Sequence, residues 1–134
     1  NGPEVLPVAE IVVRGHAPDS IRVVGYKAKW NEESDEYRDT PRSFAVAPED
    51  RGLLEELKRL SLKCWNSFGL RGWARVDFRV DRTGRPFILE INANPCLSAD
   101  AGFMAAAAQA GLTPPDVLGR ILADVPVAGP IAGA

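Results

Sequence analysis

Leu53, Leu54, Leu57, Leu60, Cys64 and Phe68 recur at helical spacing, the mark of a helix that buries one stripe of its surface. Pro48 suits a first turn, and Glu49 and Asp50 follow it near the positive end of the helix dipole. Gly69 can take the left-handed position just past the last turn. A helix over Pro48–Phe68 is therefore predicted. A second pattern alternates apolar and polar residues over Gly72–Val80 and again over Pro86–Asn92. That is the period of a strand. Asp81 to Arg85 (DRTGR), with Gly84 near its centre, is a turn signal, so the two strands form a hairpin.

The flanking segments complete the outline. Glu4–Arg14 is rich in Val and Ile and reads as a strand, with Pro7 marking an edge or a bulge. Gly15–Ser20 is a turn, and Ile21–Trp30 a second strand. Asn31–Ser43 is polar and long, the kind of loop that is often functional. Ala101–Ala110 forms a helix ending at Gly111, and Ala105 to Ala108 favour it and allow close packing. Thr113 is an N-cap with Pro114 behind it, opening a last helix to Asp124. The order β-β-α-β-β-α-α predicts an α+β fold, an antiparallel sheet with helices packed on one face. Residues 1–125 are read as one subdomain and 126–134 as a flexible tail of small residues.

The bulk numbers narrow the class. The chain has 134 residues, 46% hydrophobic and 25% charged, as expected of a globular domain. A net charge of −2 gives no general reason to expect nucleic acid or an anionic membrane as partner. No apolar run approaches the roughly 20 residues that span a bilayer. The start, Asn1-Gly2-Pro3, lacks a signal-peptide pattern and an initiating Met, so a fragment or a processed product is expected. Two cysteines make no disulfide framework, and a reducing cytoplasm is the simplest compartment.

Chemistry concentrates on the hairpin "RVDFRVDRTGRPFILEINANP", Arg75 to Pro95. With a two-residue loop at Thr83-Gly84, or a four-residue loop pairing Asp81 with Pro86, Asp77 faces Glu90 and Arg75 faces Asn92. A three-residue loop would make those pairs diagonal. Val76, Phe78, Val80, Phe87, Leu89 and Ile91 are then expected on the core side. Arg75, Asp77, Arg79, Glu90 and Asn92 share the other side with Trp73 and Ile88. Opposed residues have Cβ atoms roughly 4.5–5.5 Å apart, so two carboxylates there repel each other. A divalent cation reverses that sign. Mg²⁺ takes oxygen ligands and often uses one or two carboxylates with substrate phosphates. Asn92 adds a neutral oxygen, and Arg75 a positive charge for a phosphoryl or acyl oxygen. The plainer reading is a solvated strand face. Against it stand the opposition of acid to acid, the irregular exit at Ala93-Asn94-Pro95, and the polar groups of Ser98 and Asp100 just beyond.

The stretch "GLRGWARVDFRVDRTGRPFILEINANPCLS" resembles the last part of the ATP-grasp fold, most closely its D-alanine–D-alanine ligase-like branch. That family ends in a strand closing on Arg-x-Asp, a turn, a strand closing on Glu-x-Asn, and a Pro-containing loop. The resemblance runs from Glu4 to about Val125 and includes "GYKAKW", the Leu-rich helix and the Ala-rich helix. It implies an ADP-forming ligase that phosphorylates a carboxylate with ATP and lets an amine displace the phosphate. It implies metal ligands (Mg²⁺ or Mn²⁺) at Asp77, Glu90 and Asn92, with Glu90 shared between two ions. Arg75 and Lys29 take catalytic roles and, with Glu90, contact the nucleotide: Arg75 stabilises the acyl phosphate and Lys29 meets the transferred phosphate. The Asn31–Ser43 loop matches the mobile loop that closes over substrates and keeps water from the acyl phosphate.

Three departures accompany the resemblance. Cys96 follows Pro95 where the dipeptide ligases usually have Gly, and Trp30 stands where they commonly carry Tyr. The glycine-rich loop and adenine hinge of the clamp's first half do not occur in this chain. A fragment, inactive alone, is the expectation, with ATP and a carboxylate–amine pair as partners of the longer protein. Its exposed sheet edge could pair two copies into a homodimer. The alternative is a non-catalytic binding module derived from the same fold. A bicarbonate-activating branch is disfavoured by "GYKAKW" and the Ala-rich helix. Elsewhere, His16 is read as solvated surface and Cys64 as core. Cys96 is read as a loop-packing residue rather than a nucleophile, and Trp65 and Trp73 as packing or interface residues. Lys27 and Lys29 alternate on one strand face.

Overall fold

The computed structural model describes residues 2–11 and 42–126. Lys27, Lys29, Trp30, His16 and most of the Asn31–Ser43 loop lie outside the described residues, as does the tail beyond Pro126. The chain divides into two compact units, Val8–Val46 and the remainder, Asn1–Pro7 with Ala47–Ala134. In the smaller unit β1 (Glu10–Ile11) pairs antiparallel with β2 (Arg42–Ser43), setting Glu10 opposite Ser43 and Ile11 opposite Arg42.

The larger unit holds the predicted helices and hairpin. A 3₁₀ turn at Pro48–Asp50 leads into α1, Arg51–Ser67. The helix stops as expected. Gly69 has φ +58°, Leu70 N–H donates to Trp65 O at 3.0 Å, and Gly69 N–H donates to Asn66 O at 3.4 Å. These bonds satisfy the last carbonyls in a Schellman arrangement. Leu57 and Cys64 are buried on the predicted stripe, whereas Phe68, at the cap, leaves the helical period and is 68% exposed. The hairpin is β3 (Arg75–Val80) paired antiparallel with β4 (Pro86–Asn92), and α1 packs against both strands. Two shorter helices follow, α2 (Gly102–Gln109) and α3 (Pro114–Ala123). A capping box opens α3: the Thr113 hydroxyl accepts from Asp116 N–H, and the Asp116 carboxylate accepts from Thr113 N–H. Met104, Ala107 and Val117 are buried between α2 and α3, with Leu6, Leu97, Phe103, Leu112 and Ile121 packed around them.

One predicted element changes. Gly2–Ala9 takes no regular structure, so the strand expected over Glu4–Arg14 is, among the described residues, only the two residues of β1. Pro3 and Pro7 each lack the N–H a ladder needs. The segment serves instead as a strap: Leu6 joins the α2–α3 core, and Glu4 accepts from Arg120 at 2.6 Å. A second clasp ties the strand's approach to the end of α3. Gly72 N–H donates to the Asp124 carboxylate at 2.6 Å, and Arg71 donates to the Asp124 carbonyl at 2.7 Å.

Candidate active site

The turn of the hairpin sets everything that follows. The Asp81 carboxylate accepts from Thr83 N–H at 2.8 Å, from its hydroxyl at 2.7 Å and from Arg85 N–H at 3.0 Å. Asp81 N–H donates to Arg85 O at 3.0 Å, and Gly84 takes φ +82°. Arg82-Thr83-Gly84 is thus a three-residue loop, a turn closed by a left-handed glycine. Neither the two-residue nor the four-residue loop expected from the sequence forms. Val80 pairs with Pro86, Arg79 with Phe87 and Phe78 with Ile88. A bulge then intervenes. Leu89 has no partner, and the next pairs are Asp77 with Glu90, Val76 with Ile91 and Arg75 with Asn92. An extra residue in one strand shifts the pairing by one, which cancels the shift introduced by the turn.

The three-residue turn also corrects the predicted faces next to it. Phe87, opposite Arg79, shares the side of the arginine and not the core side. Ile88, opposite Phe78, takes the place expected for Leu89. The Arg85 guanidinium lies 5.1 Å from the centre of the Phe87 ring, a cation–π contact. Leu89 itself is 66% exposed.

At the far end of the hairpin four functional groups sit on two facing pairs. Arg75 and Asp77, both half-buried, form a side-on fork: Nε donates to Oδ1 at 2.8 Å and Nη2 to Oδ2 at 2.9 Å. Glu90, across from Asp77, is exposed and takes no part in the ion pairs among the described residues. Asn92 is half-buried, and its Oδ1 accepts from Asn94 N–H at 2.9 Å. That turn ends strand pairing at the site itself, since Asn92 is the last residue of β4. No group of three His, Cys, Asp or Glu side chains converges among the described residues. Two carboxylates and an amide oxygen are nonetheless a donor set that suits a hard, oxygen-seeking divalent cation. Carboxylates facing each other across a ladder lose their mutual repulsion when such an ion lies between them.

The loop beyond the site is held by a residue whose polar role the sequence reading missed. Trp73 Nε1 donates to Pro95 O at 2.9 Å, and Pro95 is among the most buried residues of the protein. The signal was available in part, since a buried Trp ordinarily finds a partner for its N–H. Cys96 is exposed, with Sγ 3.1 Å from Ser98 Oγ. Hydrogen bonds from the Ser98 hydroxyl and then its backbone N–H pull the Cys96 thiol below the ordinary cysteine range, against a smaller opposing push from desolvation.

Residues 1–123 match the family model described as D-ala D-ala ligase C-terminus. The chain belongs to that family. It is the C-terminal part of an ATP-grasp, D-alanine–D-alanine ligase-like protein. Among curated relatives, the D-alanine–D-alanine ligase of Pelotomaculum thermopropionicum is 37% identical over 120 residues, covering 90% of this chain and 34% of that protein. The ligase of Albidiferax ferrireducens is 33% identical over 123 residues, covering 90% and 36%. The chain thus spans about a third of the length of the curated relatives it matches. The crystal structure of D-alanine–D-alanine ligase from Bacillus anthracis superposes with a TM-score of 0.64 at 25% identity, over 89% of this chain and 35% of that one. The same enzyme complexed with ATP gives 0.58 at 26% identity, over 65% and 30%. These ligase structures carry the α+β architecture predicted from the pattern of strands and helices.

Proposed function

We propose that this chain supplies the metal-holding part of an ATP-dependent, ADP-forming carboxylate–amine ligase that works through an acyl phosphate. The observation that carries the reading is the register of the hairpin: Asp77 faces Glu90, and Arg75 faces Asn92 one pleat along. Asp77, Glu90 and Asn92 would hold Mg²⁺ or Mn²⁺, which when bound neutralises and bridges phosphate oxygens. Arg75 would place its guanidinium against the oxygens of the phosphoryl group in flight, where a fixed positive charge is worth most. Lys29, outside the described residues, is assigned the transferred phosphate, and the Asn31–Ser43 loop the exclusion of water. Residues 1–125 would act as one half of the ATP clamp and be inactive alone, within a longer cytoplasmic protein. D-Alanine heads the substrate candidates because the relatives are named for it. Cys96 and Trp30 are the positions where this chain departs from their usual pattern.

The test uses the longest natural chain that contains this segment. Phosphate release from ATP is followed with Mg²⁺ across a panel of amino acids and small carboxylates, D-alanine included. An Asp77→Asn/Glu90→Gln variant serves as control. Stimulation by one carboxylate, lost in the control, is the expected result. Tight Mg–ATP binding with no release for any candidate would favour the non-catalytic binding module.

A further inference from the structure

Arg75 does not point away from the acids it stands beside. It forks both oxygens of Asp77, at 2.8 and 2.9 Å. We propose that Arg75 is an internal stand-in for the cation: its guanidinium and a divalent ion compete for the Asp77 carboxylate, so that metal loading at Asp77 and Glu90 frees Arg75 to receive a phosphoryl group. The proposal rests on the ligase reading above, and it adds a coupling that the ligand set alone does not contain.

The geometry supports it in three ways. A carboxylate offers about four lone-pair sites and the side-on fork takes one on each oxygen, so a metal would have to share an oxygen already bonded to Arg75. Sharing the carboxylate would hold a guanidinium within a few ångströms of a divalent ion, where like charges repel strongly. Finally, Arg75 has somewhere else to go. It lies opposite Asn92 at the open end of the ladder, is 39% exposed, and is not locked by any second acid among the described residues. A nucleotide phosphate would draw the arginine off and lend its own oxygens to the metal. Metal and nucleotide should therefore bind with positive cooperativity, each removing the obstacle to the other.

The experiment measures Mn²⁺ binding to the longest natural chain containing this segment by electron paramagnetic resonance, without nucleotide and with a non-hydrolysable ATP analogue. The variants are Arg75→Met, Arg75→Lys, Arg79→Met and Asp77→Asn/Glu90→Gln. A half-exposed ion pair is worth little, so releasing Asp77 from it should tighten nucleotide-free Mn²⁺ binding by roughly two- to fivefold. Arg75→Lys should tighten it too, but less than Arg75→Met, because it loses the fork and keeps a charge that repels the ion. Arg79→Met, which removes a like charge on the same side of the strand, should change it less. The gain should vanish or reverse with the analogue bound, where Arg75 has left Asp77. Wild-type affinity in Arg75→Met, or equal tightening in Arg75→Met and Arg79→Met with none in Arg75→Lys, overturns the stand-in while leaving the metal site. Mn²⁺ binding that is unaffected by Asp77→Asn/Glu90→Gln overturns the ligase reading and the stand-in together.

Discussion

Trp73→Phe is the perturbation that best isolates how the site is buttressed. The indole donates to the carbonyl of Pro95, a residue less than 2% exposed. Phenylalanine keeps most of the ring but offers no donor, and water cannot readily reach the carbonyl to replace it. A buried acceptor left unsatisfied costs about 1–3 kcal/mol. The lost indole volume adds a packing cost, which a second substitution measures. Trp65→Phe, at a half-buried tryptophan of α1, makes the same volume change away from the loop. Trp73→Phe should therefore destabilise by about 1–2 kcal/mol more than Trp65→Phe, at unchanged m-value, in urea unfolding followed by far-UV circular dichroism. The loss should also be local. Amide exchange at Asn94 and Cys96 should quicken in Trp73→Phe and not in Trp65→Phe, because the Pro95 anchor sits between them. Equal destabilisation by the two substitutions, with loop exchange unchanged, would refute the claim that this hydrogen bond holds the loop.

Two further outcomes are expected. Cys96 is exposed and its thiol is held low by Ser98, whereas Cys64 is 5% exposed, so a disulfide reagent at neutral pH should titrate one thiol quickly and the second only on unfolding. Ser98→Ala should move the pH–rate profile of the fast thiol upward. Asp81 is held below the usual aspartate range first by the Thr83 hydroxyl and then by Arg85 N–H, and Asp116 first by the Thr113 hydroxyl and then by Thr113 N–H. A depressed folded-state value stabilises above the unfolded value of about 3.9 and loses that contribution as pH falls through the folded one. An Asp81→Asn/Asp116→Asn protein should accordingly be less stable at neutral pH and lose less stability on acidification, as read by urea midpoints across the acid range.

The elements that were legible are those whose signal is local. α1 shows its stripe, its acidic start and its glycine stop within one segment, and α3 shows Thr113 and Pro114 at its head. β4 begins and ends where the alternation does. The strand predicted over Glu4–Arg14 does not form over Glu4–Ala9, because Val- and Ile-rich composition describes what a strand buries, not whether a partner's ladder is available. Prolines at positions 3 and 7 were the better guide, and the pull of the α2–α3 core on Leu6 is a tertiary fact. Trp73 was assigned to packing because a sequence shows that an indole is apolar, but not which buried carbonyl lies within reach of its N–H.

The facing of Asp77 and Glu90 was anticipated through a route the molecule does not take. An even loop and an unbroken ladder would give that facing directly. The turn is a three-residue loop, which by itself would pair Asp77 with Leu89 and set Glu90 opposite Val76, on the other face of the hairpin. Leu89 bulges out and restores the facing. The mark of that bulge is in the chain: Phe87, Ile88 and Leu89 are three consecutive apolar residues in a strand whose other positions alternate, one more than a regular pleat can use. Counting from the three-residue turn alone leaves the acids one residue out of step. With that turn in place, the bulge is what brings carboxylate opposite carboxylate, with Arg75 and Asn92 facing each other beside them. Repulsion between the acids works against that register, and within the hairpin the Arg75 fork on Asp77 offsets part of it. That this register is kept through a compensating pair of irregularities supports the proposal that the site takes a cation.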